Sequence, residues 1–178
     1  MLAGAGNTLP LANKEYTSAV AEIVRVIVAN GTDSNATTAG SVRRGEKYPE
    51  DIIIVSKQID WSTLRPLLAQ NDKIRMVAYS TLEDDEEYRA TITYTYNTHE
   101  YTCLIIVADD TTEQFPNLVW WYTGSPAEIR RLQDLAATQD YFSLNKEGLK
   151  SDSETVAAYG EDSIYTELGE TTPDPSQR

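Results

Sequence analysis

Few side chains in this sequence are equipped to do chemistry on their own. His99 is the sole histidine and Cys103 the sole cysteine among 178 residues. Neither Ser41 nor Ser125 has a histidine near it in sequence, so a nucleophile backed by a histidine base finds little support. His99 falls at a hairpin-like turn, a surface position, and one histidine cannot build a histidine cluster. Cys103 has no internal disulfide partner and lies in an apolar, strand-like stretch, which reads as burial and leaves the redox compartment undetermined. The acidic run Glu83, Asp84, Asp85, Glu86 and Glu87 reads as a solvated connection between strands, or as a surface for a basic partner. Gly40-Ser41-Val42-Arg43-Arg44-Gly45 packs two turn glycines, a hydroxyl and two fixed positive charges together. On residue types alone, its glycines permit tight turns and its arginines pair with surplus surface acid.

Composition limits what these residues can serve. Fifteen basic against 28 acidic side chains give a formal charge of −13, which repels a phosphate backbone unless a local basic patch overrides it. With 40% hydrophobic residues the chain can bury a core as one compact unit or two closely packed subdomains. The opening MLAGAGNTLPLA has no basic segment before its apolar residues and does not read as a signal peptide. The longest apolar stretch, near Cys103, is strand-sized, so a soluble chain or one held in a soluble assembly is expected.

The elements that must position these residues follow from periodicity. Asn13 is placed to cap a helix from about Lys14 to Ala29, with apolar residues at helical spacing and Asn30-Gly31 as its stop. A short strand, Ala36 to Ala39, leads into the Gly40 segment. Asp51 to Ser56 is apolar on both alternating faces and predicts a central strand. Asp60 caps a second helix that Pro66 should bend or shorten. Extended segments follow at roughly 73–81, 87–96 and 99–108, the last two forming a hairpin around Asn97-Thr98. Tyr88, Ala90, Ile92, Tyr94 and Tyr96 alternate with polar residues, as in a sheet covered on one face. A linker runs from Asp109 through Pro116. Beyond it, Ser125, Pro126 and Glu128 spell a helix start with a capping box. Phe142, Leu144 and Leu149 suit a small hairpin, and Ile164, Tyr165 and Leu168 a last short helix closed by Gly169.

Taken in order, these motifs resemble the palm and fingers of a family X DNA polymerase. Gly40 to Gly45 followed by Asp51-Ile52-Ile53-Ile54-Val55 is similar to the nucleotidyltransferase signature of that family, and Tyr122-Thr123-Gly124-Ser125 to the element that opens its fingers. The tail is similar too, through Asn145 to Leu149, Gly160 to Tyr165, Leu168-Gly169 and Pro173 to Arg178. The likeness covers roughly residues 13 to 178, in the size class of minimal viral members.

The resemblance implies an α+β fold: a polymerase beta-like palm with a mixed, mainly antiparallel sheet at residues 1–115, and a small fingers subdomain at 116–178. It implies that Gly40, Ser41 and Arg44, with Arg43 beside them, contact the polyphosphate of a nucleotide. Amides, a hydroxyl and a fixed positive charge suit the charge that accumulates on departing pyrophosphate. Tyr122, Thr123, Gly124 and Ser125 would brace the ligand cleft.

The family's metal carboxylates are where this sequence departs. Two-metal transfer needs shared anionic oxygens that hold two Mg2+ ions about 4 Å apart. Asp51 preserves the first aspartate, the second falls on Ile53, and the third falls between Tyr101 and Ala108, where no residue is charged. Ile105 or Ile106 is the expected counterpart, with Cys103 an alternative. Glu50, Asp109 and Asp110 read as solvated loop acids rather than a relocated site. In the fingers, Pro126 follows the motif directly and Ile129 replaces a polar base-contacting position.

The expectation is therefore a noncatalytic structural or interaction protein that keeps the polymerase fold. A residual nucleotide or nucleic-acid binder ranks second, and an active nucleotidyltransferase with displaced carboxylates third. No cofactor or metal is expected, with weak Mg-dependent nucleotide binding left open. The expected partner is a protein or a larger assembly, a viral one included, with no membrane and little nucleic acid, and the expected location is the cytoplasm or such an assembly.

Overall fold

The computed structural model describes residues 14–31, 35–57, 59–81, 88–108, 114–152 and 156–178. The acidic run at 83–87, Asn13, Asp109 and Asp110 lie outside the described residues.

Helix α1 (Lys14–Ala29) forms because Val20, Ala21, Val24 and Val28 recur on one face and are all buried. After it come strand β1 (Ala36–Ala39), the single-turn helix α2 (Gly40–Arg43), strand β2 (Ile52–Ser56) and helix α3 (Trp61–Ala69). Pro66 stands inside α3, which continues to Ala69, so the proline does not end it. Strands β3 (Ile74–Thr81), β4 (Tyr88–Tyr96) and β5 (His99–Val107) complete a five-stranded sheet in the order β1-β2-β5-β4-β3. Only β2 and β5 run parallel; the other pairs are antiparallel. Asn97 and Thr98 turn β4 into β5 with φ of 49° and 68°, the left-handed pair that matches the twist of a two-residue hairpin.

Alternation divides the sheet into two faces. Ile52, Ile54, Ala90, Ile92, Tyr94, Cys103 and Ile105 pack with α1 and α3 in the main core. Ile53, Val55, Ile106 and Ala108 point the other way, against Leu118 and Val119. Every residue of β2 is buried, as its unbroken apolar run requires.

Leu118 and Val119 belong to helix α4 (Gln114–Thr123), whose start the sequence reading places in a linker ending at Pro116 and whose remainder it assigns to no element. Pro116 is tolerated near the start of a helix, where an unbonded amide is lost at no cost. No single stripe betrays α4, because it is buried on two sides: Leu118 and Val119 enter the sheet cluster, while Trp120 enters a second core. The expected boundary at residues 115 and 116 falls inside this helix. The second core joins Trp120 to helix α5 (Pro126–Thr138), a sheet of β6 (Ser143–Asn145), β7 (Gly148–Lys150) and β8 (Val156–Ala158), and helix α6 (Glu161–Glu167). Ser125 caps α5 by accepting from the Glu128 amide at 3.2 Å. The Glu128 carboxylate does not complete a capping box; it takes bonds from Arg131 and the Tyr165 hydroxyl instead. Gly169 ends α6 at φ 75°, where Glu170 N reaches back to the Tyr165 carbonyl. Phe142 is 64% exposed and lies before β6, so the small hairpin rests on Leu144 and Leu149 alone. No helix among the described residues is long and apolar enough to cross a membrane.

Candidate functional site

The Gly40 segment is where the sequence concentrates its polar chemistry, and its geometry is set by Asp51. Gly40 has φ 66°, and a β-carbon built on it would lie 2.7 Å from Asp51 Oδ1, so only glycine fits both the backbone and its neighbour. Ser41 N donates to that oxygen at 2.9 Å. Ser41 Oγ also bonds Asp51 Oδ1 and accepts from the amides of Glu50 and Asp51 at 3.1 and 3.2 Å. A hydroxyl offers one donor and two acceptor positions. Ser41 Oγ, in a residue 1% exposed, is therefore saturated within the chain.

The two arginines are engaged as well. Arg44 donates through Nη1 to the Thr123 carbonyl at 2.7 Å and through Nε to Glu46 at 2.7 Å. Arg43 donates through Nη1 to Thr123 Oγ1 at 2.9 Å and, with both Nη atoms, to the Glu161 carboxylate. Glu161 also receives Arg178 Nη1 at 2.6 Å. The Arg178 side chain is only 1% exposed, lies 5.6 Å over the Tyr165 ring and donates twice more to the Pro173 carbonyl. Burial alone would raise the Glu161 carboxyl, but the two guanidinium groups outweigh it and hold it below the ordinary glutamate range.

The segment 122–125 is tied down residue by residue. Tyr122 OH takes a bond from Arg89 Nη2 of β4 at 3.0 Å. Thr123, fully buried, accepts from both Arg43 and Arg44. Gly124 leaves room for Ile129, whose Cδ1 would stand 2.6 Å from an added β-carbon, and Ser125 is spent on the α5 cap.

Register decides which residues share a face with Asp51 and Ile53. Ile53 pairs with Leu104 across the parallel β2–β5 ladder, and Leu104 packs on the same cluster as Ile53 and Ile106. Cys103 and Ile105 point into the α1–α3 core on the opposite side. Of the residues that the resemblance suggested for the third position, Ile106 therefore lies on the Ile53 side of the sheet, while Ile105 and Cys103 lie on the other, and Leu104 is the residue paired with Ile53. One residue of uncertainty in strand pairing flips the face, so sequence alone could not separate these four. The Cys103 thiol is pushed up to about 12 by burial, which makes it unreactive.

No protein-family model matches the chain, and no curated protein matches it.

Sequence reasoning assigned no role to Glu161, Arg178 or Arg89, although the first two lie in the tail that carries the resemblance. Their signal is charge at fixed places in otherwise apolar or turn-forming segments, and it becomes legible only when the fold brings them to α2 and α4. Among the described residues, no three histidine, cysteine or carboxylate side chains come together as a metal-ligating group. Glu50 is exposed and contributes its amide, not its carboxylate, to the Ser41 network. His99 is exposed at the β4–β5 turn, its Nδ1 2.9 Å from the Asn97 carbonyl.

Carboxyls paired with arginine, Glu128, Glu161 and Glu170 among them, give the chain a defined acid response. Hydrogen bonds from Arg131 hold Glu128 and Glu170 below the ordinary glutamate range, and the arginine pair does the same for Glu161. A carboxyl depressed in the folded state stabilises fully above its unfolded value, near 4.3, and loses that contribution as pH falls through the lower folded value. The thermal midpoint followed by circular dichroism should be level above about pH 5 and fall steeply below about pH 4. A midpoint that rises below pH 4 would contradict this assignment.

Proposed function

We propose that this chain is a noncatalytic structural or interaction protein built on a family X polymerase-like palm and fingers. The observation that carries the reading is the state of Asp51: its carboxylate closes on Ser41 and Gly40, and the residues facing the same side of the sheet, Ile53 and Leu104, offer no oxygen. Nucleotidyl transfer requires a metal to activate the attacking hydroxyl and another to stabilise pyrophosphate, both held by shared carboxylates. Asp51 cannot supply that set.

The groups a polyphosphate would need support the same reading. Ser41 has no remaining hydrogen-bond capacity, and Arg43 and Arg44 hold Thr123, Glu161 and Glu46. In this reading the arginines join the sheet to the α4–α6 unit. The formal charge of −13 favours a protein partner with basic surface over nucleic acid. A larger assembly, a viral one included, is the setting proposed for it.

Calorimetric titration with a deoxynucleoside triphosphate, with and without Mg2+, tests the ligand side. The expected result is no saturable Mg2+-dependent binding, and Arg44→Ala should change the heats little. Tight binding that strictly requires Mg2+ would overturn the proposal. Tight metal-independent binding lost in Arg44→Ala would favour a residual nucleotide binder instead.

A further inference from the structure

On the face of the sheet away from Asp51, a cavity of ≈ 420 Å3 opens between the C-terminal ends of α1 and α3 and strand β4. That size suits a small-molecule site, for which about 300–1,000 Å3 is usual. Ile27 and Leu67 give it an apolar wall, and Asn30, Asp72, Lys73 and Tyr94 bring polar groups to it.

Tyr94 points to an occupant. The residue is 3% exposed, and its hydroxyl has no hydrogen-bond partner among the described residues. A buried hydroxyl left unpaired costs about 1–3 kcal/mol, and folded proteins nearly always satisfy it. The cavity that Tyr94 lines is the space in which a partner can stand.

Charge of both signs surrounds that space. Neither α1 nor α3 has a basic residue in its last turn, so both helix ends bring partial negative charge to the cavity beside the Asp72 carboxylate. Lys73 supplies the opposite sign. Its backbone is fixed on both sides, because Lys73 N donates to Asn71 Oδ1 at 3.1 Å and its carbonyl accepts from Thr95 N at 2.9 Å.

We propose that this cavity binds a small zwitterion of the free amino-acid class. Its ammonium faces Asp72 and the two helix ends, its carboxylate faces Lys73 and the Tyr94 hydroxyl, and an aliphatic side chain lies on Ile27 and Leu67. Asp72 and Lys73 are both exposed at the cavity, and a zwitterion meets each with an opposite charge where a singly charged ligand meets only one. The site stands apart from the Asp51 network and is independent of the function proposed there.

Calorimetric titration of the full chain with leucine, isopentylamine and 4-methylpentanoate separates the contributions. Leucine should saturate, and each single-charge analogue should bind at least about tenfold more weakly. Tyr94→Phe should weaken leucine binding roughly three- to tenfold without lowering the thermal midpoint. Lys73→Ala should abolish the preference for leucine over isopentylamine. Failure of leucine to saturate, equal binding of all three probes, or leucine binding unchanged in both Tyr94→Phe and Lys73→Ala would each overturn the proposal.

Discussion

Replacing Glu161 with alanine should lower the stability of the chain by roughly 3 kcal/mol. Glu161 is the common acceptor of Arg43 and Arg178, and the Arg178 side chain is 1% exposed. Removing the carboxylate leaves two guanidinium groups facing each other, one of them with almost no access to water. Breaking a buried pair in this way costs about 3–5 kcal/mol, and the quarter exposure of Arg43 places the estimate at the lower end. In a domain of this size the thermal midpoint should fall by about 6–12 °C. Glu161→Gln keeps the shape and an acceptor oxygen while losing the charge, so it should cost less than alanine and flatten part of the acid response. If Glu161→Ala melts within a degree or so of the parent chain, the Arg43–Glu161–Arg178 contact does not join the sheet to the α4–α6 unit.

A second large effect is expected at Ile53, where the family resemblance implies a metal-binding aspartate. Ile53 is 8% exposed and packs with Val55, Ile106, Leu118 and Val119. Ile53→Asp removes a buried aliphatic side chain and puts a carboxylate among apolar neighbours, for a combined loss of about 3–5 kcal/mol. Desolvation should raise the new carboxyl in the folded state. The deficit should therefore be smallest below the ordinary aspartate value, near 3.9, and grow as pH rises through the raised folded value. Millimolar Mg2+ should not restore the lost stability, because Asp51 is turned onto Ser41 and Leu104 offers no ligand. Full rescue by Mg2+, followed by thermal melting, would show that position 53 stands in an open metal site rather than in a packed core.

How far the sequence could be read depended on the kind of signal each element carries. Helix α1 follows from its apolar spacing, β2 from its unbroken isoleucine and valine run, and the α5 start from Ser125 and Pro126, because each signal is local. Helix α4 stayed hidden because Leu118, Val119 and Trp120 are buried on different sides of one helix and leave no stripe. The face-on partner of Ile53 was beyond reach for another reason: the parallel ladder that opposes it to Leu104 joins segments about fifty residues apart, and periodicity within β5 cannot fix that register. The polar residues of the candidate site were legible as types, but their engagement was not. Whether Ser41 meets a phosphate or Asp51, and whether Arg43 meets a ligand or Glu161, depends on contacts between distant segments. An aspartate beside a glycine, serine and arginine segment made either outcome compatible with the residues alone.

The central claim, that Asp51 serves the fold and not a reaction, is tested most directly by primer extension on gapped DNA. The assay supplies all four deoxynucleotides with Mg2+ or Mn2+, and primer-only transfer is followed in parallel. The account predicts no extension by the parent chain at high protein concentration, while its melting transition shows it folded. Extension by the parent chain that is abolished in a folded Asp51→Ala variant would contradict it.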